Sequence, residues 1–210
     1  MTKKKITSRD LQAEERRRQL LQASKELFAE QGFHATPIRK INRSIGMADG
    51  LIYHYFPKGK QQILETIVEE AFTSRFETLQ QLSDSITNDI PLKQTLITFL
   101  ERMYEMIMSD RQSALIMFRE RAHLSDDFVE KLSAMIMNRL DWMAKFLRER
   151  HEDGEIAELD FQIAAKQIVS INFMLIIREL AGINIITESH EEFVEKSVDQ
   201  LVKFWSMKPV

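Results

Sequence analysis

Residues 36–56 read TPIRKINRSIGMADGLIYHYF, and this stretch decides the fold. Thr36 can cap a helix, because its hydroxyl can accept from a free N–H in the first turn. Pro37 then sits at the first helical position, where its missing N–H costs nothing. Ile38, Ile41 and Ile45 point one way, while Arg39, Lys40 and Arg43 point the other. Gly46 supplies a sharp turn, and a second short helix follows with Asp49 as its cap or in its first turn. Leu51, Ile52 and Phe56 are expected to anchor this helix to the first, presenting Gly50, Tyr53, His54 and Tyr55 outward. Two short helices joined through a glycine turn make a helix-turn-helix, whose second member can lie in the major groove. A helical hairpin that only packs shares the pattern. The flanking Arg39, Lys40, Arg43, Lys58 and Lys60 shift the balance towards DNA.

Charge supports that direction. The 210 residues carry a net charge of -3, but unevenly. Residues 1–60, beginning with Lys3, Lys4 and Lys5, hold 13 Lys/Arg against 6 Asp/Glu; residues 61–210 hold 16 against 26. A basic first quarter on an acidic body suits a chain that meets a polyanion at one end only. With no cysteine, disulfides and thiolate chemistry are excluded. No apolar segment follows the basic N-terminus, so a signal peptide is not expected. No apolar run, 173–177 included, exceeds five residues, far short of a membrane span, and a soluble cytoplasmic protein is expected.

Four of six glycines and two of four prolines fall between residues 32 and 59; beyond them the chain reads as long helices. Apolar residues recur at three and four through Leu64, Val68, Phe72, Phe76 and Leu79, through Leu92, Leu96, Phe99, Leu100, Met103 and Ile107, and through Val194, Val198, Leu201, Val202 and Trp205. The periodicity predicts an all-α protein with helices near 10–31, 37–44, 49–55, 60–83, 91–109, 112–123, 125–151, 160–181 and 187–206. Gly32 is expected to end the first helix in the left-handed conformation. No H-E-x-x-H, G-x-S-x-G, P-loop or Rossmann glycine pattern is present, so neither catalysis nor a metal or cofactor is expected.

The run Leu27-Phe28-Ala29-Glu30-Gln31-Gly32-Phe33-His34-Ala35-Thr36, then Ile41, Gly46 and Gly50-Leu51-Ile52-Tyr53-His54-Tyr55-Phe56, resembles the N-terminal domain of the TetR family of bacterial repressors. The resemblance covers about residues 15–70. It implies a three-helix DNA-binding domain over residues 1–60 and a larger helical ligand-binding and dimerisation domain over 61–210. By position, it implies that Thr36 caps the second helix and touches phosphate, and that Arg39 approaches a base or the backbone. Asp49 and Gly50 then start the recognition helix, and Tyr53 and His54 contact phosphate. A lysine opening the fourth helix also contacts phosphate. Lys60 is its nearest match, but the turn Pro57-Lys58-Gly59-Lys60 is one residue longer than usual, leaving Lys58 and Lys60 both open. Pro37, Asn42 and Ala48 depart from the family pattern; since Ala48 cannot cap, Asp49 is expected to do so.

One recognition helix touches too few base pairs for a genomic search, so a homodimer on a palindromic double-stranded operator is expected. The 160–181 helix is apolar on almost every side and, with the last helix, can form the dimer contact; burial within one subunit is the alternative. Seven of eleven methionines lie between residues 103 and 143. Such soft side chains suit an adaptable apolar pocket, though a Met-rich core shares the composition. The candidate lining is Phe99, Met103, Met106, Met117, Phe118, Met135, Trp142, Phe146 and Phe173, with Asn172 and Arg178 to orient a polar group. The expectation is a repressor released by a hydrophobic inducer; a lipophile carrier or sensor without specific DNA binding is the alternative.

Overall fold

A capping box opens the first helix. Thr7 Oγ accepts from the Asp10 N–H while the Asp10 carboxylate accepts from the Thr7 N–H at 2.9 Å. The Thr7 hydroxyl and N–H bonds together hold the Asp10 carboxyl below its ordinary range. The computed structural model describes residues 7–84, 86 and 89–206; Lys3, Lys4, Lys5 and the side chain of Leu79 lie outside the described residues.

The described residues form α1 Ser8–Gln31, α2 Ile38–Ser44, α3 Ile52–Tyr55, α4 Lys60–Asp84, α5 Leu92–Met108, α6 Arg111–Arg119, a 3₁₀ turn Arg121–His123, α7 Asp126–Glu152, α8 Phe161–Ala181 and α9 His190–Trp205. The all-α expectation holds, and each expected helix is found. Two differ in form. The third is a single turn, and the sixth closes at Arg119 before tightening into the 3₁₀ turn. Gly32 ends α1, but at φ 89 and ψ 160 rather than in the left-handed helical region.

The chain makes two compact units. One takes the described residues up to Thr73 together with Asp110–Asp126; the other takes Ser74–Ser109 and Asp127 onward. α4 runs through the division, so the first half of that helix and the α6 segment group with α1, α2 and α3.

In the first unit Leu20, Phe28, Ile41, Ile52, Phe56, Ile63, Leu64 and Ile116 are wholly buried. Each such side chain contributes about 1.5–3 kcal/mol of transfer free energy. Asp110 caps α6: its carboxylate accepts from the Ser113 N–H at 3.2 Å, the Ser113 hydroxyl at 2.6 Å and Lys25 Nζ of α1 at 3.2 Å. Burial pushes this carboxyl up, but the Ser113 bonds and Lys25 together bring it below its ordinary value.

In the second unit α5, α8 and α9 pack around Leu96, Phe99, Leu100, Ala165, Ile168, Leu175, Val194 and Val198. Pro91 offers α5 no side-chain cap; Glu155 supplies one, accepting from the Leu92 N–H at 2.6 Å. Its other oxygen meets Arg150 at 2.8 Å, and Arg150 is buried. Asp160 caps α8 through the Gln162 and Ile163 N–H groups, both at 3.1 Å.

Candidate nucleic-acid interface and ligand-binding core

The geometry of residues 36–60 starts from what is buried. Ile52 and Phe56, four apart, are both fully buried, and Met47 is nearly so. That pair sets the roll of α3 and turns Asp49, Gly50, Tyr53 and His54 outward, with Tyr55 half-buried. His54 and Tyr55 meet edge to face at 5.2 Å. Arg39, Arg43 and Lys58 are exposed; Lys40 is exposed too, and donates to Gln31 of α1.

Three expectations are corrected here. Thr36 caps nothing: it is fully buried, and its hydroxyl donates back to the Gly32 carbonyl at 2.7 Å and the Leu27 carbonyl at 3.3 Å. Pro37 occupies the cap of α2 with no side-chain bond. Asp49 is not the cap of α3, where Leu51 stands, again with no side-chain bond. Leu51 is no anchor either: it is 46% exposed. Lying one residue before Ile52, it is turned about 100° from the buried face.

The two lysines separate cleanly. Lys60 Nζ donates inward to the Phe33 carbonyl at 2.6 Å and the Thr36 carbonyl at 3.1 Å, and sits 4.3 Å from the Phe33 ring centre. Desolvation lowers its pKa, opposed by the nearby Glu120. Glu120 is itself buried and accepts from the Phe33 N–H at 3.0 Å. Lys58 is exposed, and only its backbone N–H is engaged, by Gln62 at 3.0 Å. Between them Gly59 has φ 61, and a Cβ there would lie 3.0 Å from Cε1 of Tyr53. The bare glycine thus seats the Tyr53 ring, which stays 51% exposed.

Sequence reasoning missed the contribution of α1. An open groove of about 950 Å³ is lined by α1 residues of both charges, Arg9, Arg16, Asp10 and Glu15, together with His54 and Tyr55. The arginine-rich start of the chain was the available signal.

The second unit gathers part of the expected ligand set. Phe99, Trp142 and Phe146 stack in series at 5.8 and 5.7 Å. Met103 is buried in the same core, and Met106 packs against it. Asn172, fully buried, donates to the Leu100 carbonyl of α5 at 2.8 Å. Arg139 and Arg150, neither foreseen, hold guanidinium groups 5.5 Å from the Trp142 ring centre and 5.0 Å from that of Phe146. The remaining residues are dispersed. Met117 and Phe118 belong to the first unit, and Met135 is half-buried on the early turns of α7. Phe173 faces outward, 58% exposed. Arg178 donates to the Glu188 carbonyl at 3.1 Å and pairs with Glu179.

Residues 20–67 match the family model described as "Bacterial regulatory proteins, tetR family". Those residues form a domain of the TetR family of transcriptional regulators. It is 26% identical over 151 residues to the "Fatty acid metabolism regulator protein" of Bacillus subtilis, covering 71% of this chain and 76% of that one. It is 34% identical over 119 residues to the "HTH-type transcriptional repressor KstR2" of Mycolicibacterium smegmatis, 55% and 56% of the two chains. The solved structure of AibR in complex with isovaleryl coenzyme A and operator DNA shares the fold, with a TM-score of 0.65 at 17% identity over 91% of this chain and 98% of that one. Among the described residues, no helix is long and apolar enough to cross a membrane.

Proposed function

We propose that this regulator is a repressor that binds a palindromic operator as a homodimer and is released by a hydrophobic small molecule with one polar end. One observation carries the DNA half. Ile52 and Phe56 are wholly buried while Asp49, Gly50, Tyr53 and His54 are exposed, as are Arg39, Arg43 and Lys58 of the same segment. A helix set this way offers its polar side to a groove about 12 Å wide. Tyr53, His54 and Lys58 are assigned to phosphate, Arg39 to phosphate or a base edge, and Asp49 to a base edge, since capping does not occupy it. Tyr55, Arg9 and Arg16 flank the same groove and join the phosphate contacts. Lys60 is assigned to holding the turn before α2 rather than to phosphate, and Thr36 to the same turn.

Dimerisation is assigned to α8 and α9. Ile163, Phe173 and Met174 on α8 and Phe204 on α9 are exposed large apolar residues of one subunit, an arrangement that favours cover by a second copy. The ligand is assigned to the core around Phe99, Met103, Trp142 and Phe146. Two of the similar proteins are named for fatty acid metabolism and for an acyl thioester complex, so acyl-coenzyme A thioesters of graded chain length are the first compounds to test. α4, continuous from Lys60 to Asp84, is assigned the transmission of ligand binding to the DNA-reading residues. The ligand must bind the released state more tightly than the DNA-bound one.

Selection of duplexes from a random pool, followed by release with the thioester panel, tests this reading. Enrichment of a two-fold symmetric site supports it. Equal weak affinity for every duplex at all salt concentrations overturns it in favour of a lipophile carrier.

A further inference from the structure

We propose that Leu51 is a specificity-determining residue that reads the 5-methyl group of a thymine in each operator half-site; this rests on the DNA-binding reading above. Leu51 is 46% exposed although both residues that anchor its helix, Ile52 and Phe56, are fully buried, so packing of the domain does not account for it. It follows Gly50, around whose Cβ position no atom beyond its two chain neighbours lies within 4 Å, so no other part of the chain crowds that spot. Exposed Asp49 precedes it, and Tyr53 and His54 follow on the same outward stretch.

Chemistry narrows the occupant. A leucine side chain has neither donor nor acceptor, so it cannot hold a phosphate or recognise a base edge by hydrogen bonding. The thymine methyl is the apolar group that base pairs display in the major groove, and aliphatic side chains contact it there. The exposed cations of the same helix-turn-helix segment, Arg39, Arg43 and Lys58, suit a duplex rather than a second apolar protein surface, which would leave them unpaired.

The test uses the full chain and the duplex selected from a random pool. Each thymine is replaced singly by deoxyuridine, which keeps every hydrogen-bonding group and lacks only the methyl. One position per half-site should weaken the wild-type protein by about three- to fivefold, the worth of one buried methyl group. Leu51→Ala should bind the thymine and deoxyuridine forms of that position equally, with an unchanged melting temperature, and selection with it should lose the thymine preference there. Wild-type indifference to every replacement overturns the proposal, as does a selected half-site without thymine or a Leu51→Ala protein that keeps the same methyl sensitivity. Enrichment of a symmetric site with any of those results leaves DNA binding standing; failure to enrich any duplex overturns both.

Discussion

Gly59 is the residue on which the geometry of Tyr53 turns. A methyl there meets the Tyr53 ring at 3.0 Å and sits on a backbone of φ 61. Gly59→Ala should therefore cost about 1–3 kcal/mol, seen as a lower urea midpoint, and weaken operator binding as the ring is displaced. The two lysines on either side should behave oppositely. Lys58→Ala should reduce the slope of log affinity against log salt by about one per subunit and leave the melting temperature unchanged. Lys60→Ala should lower the melting temperature, because two carbonyls of the α1–α2 turn lose their donor, and leave the slope alone. At this scale the sequence was only partly legible. The pattern placed Tyr53 and His54 outward correctly, since i and i+4 spacing of Ile52 and Phe56 is enough to orient a single turn, but Tyr55, also expected outward, is half-buried. It could not distinguish Leu51 from its apolar neighbours, nor reveal that the Lys60 ammonium folds back onto main-chain carbonyls, because both depend on the path of a loop.

Single helices show where stability is held. Asn42 sits in α2 with its amide fully buried and neither side-chain atom hydrogen-bonded. Asn42→Ala should raise stability by about 1 kcal/mol, from the relieved polar group and from helix propensity, as a shift of the urea midpoint. The α6 cap works in the other direction. Asp110→Ala should cost about 1–2 kcal/mol at neutral pH. The Asp110 carboxyl lies below its ordinary value in the folded chain, so its contribution is complete above the unfolded pKa, about 3.9. It disappears as pH falls through the folded value, so the gap between wild type and Asp110→Ala should close on acidification. Helix positions were readable throughout because apolar spacing and capping residues act locally. The burial of Arg139 and Arg150 was not, since a charged residue in a periodic pattern reads as solvent-facing until its long-range partners are known.

At the scale of the whole molecule, the exposed apolar residues of α8 and α9 lead to the remaining prediction. Phe173→Glu and Phe204→Glu place a charge at residues that are 58% and 71% exposed in one subunit. Each should yield a monomer by sedimentation, with operator affinity falling at least a hundredfold as the second half-site contact is lost. A stable dimer in both variants would remove α8 and α9 from the interface. The sequence indicated that α8 needed cover on most sides. It did not indicate which side is met inside the subunit, because that depends on where α5 and α9 pack.

The split within α3 has a consequence for how such a regulator can change. The side chains that hold the element in place, Ile52 and Phe56, are separate from those that face outward, and at Gly50 itself no atom beyond its chain neighbours crowds the Cβ position. If Asp49 and Leu51 read bases as proposed, altering them leaves Ile52 and Phe56 in place, and a new target preference can be acquired at little cost to folding. On that reading, a lineage carrying this scaffold can rewrite its genomic address one letter at a time while its architecture stays intact.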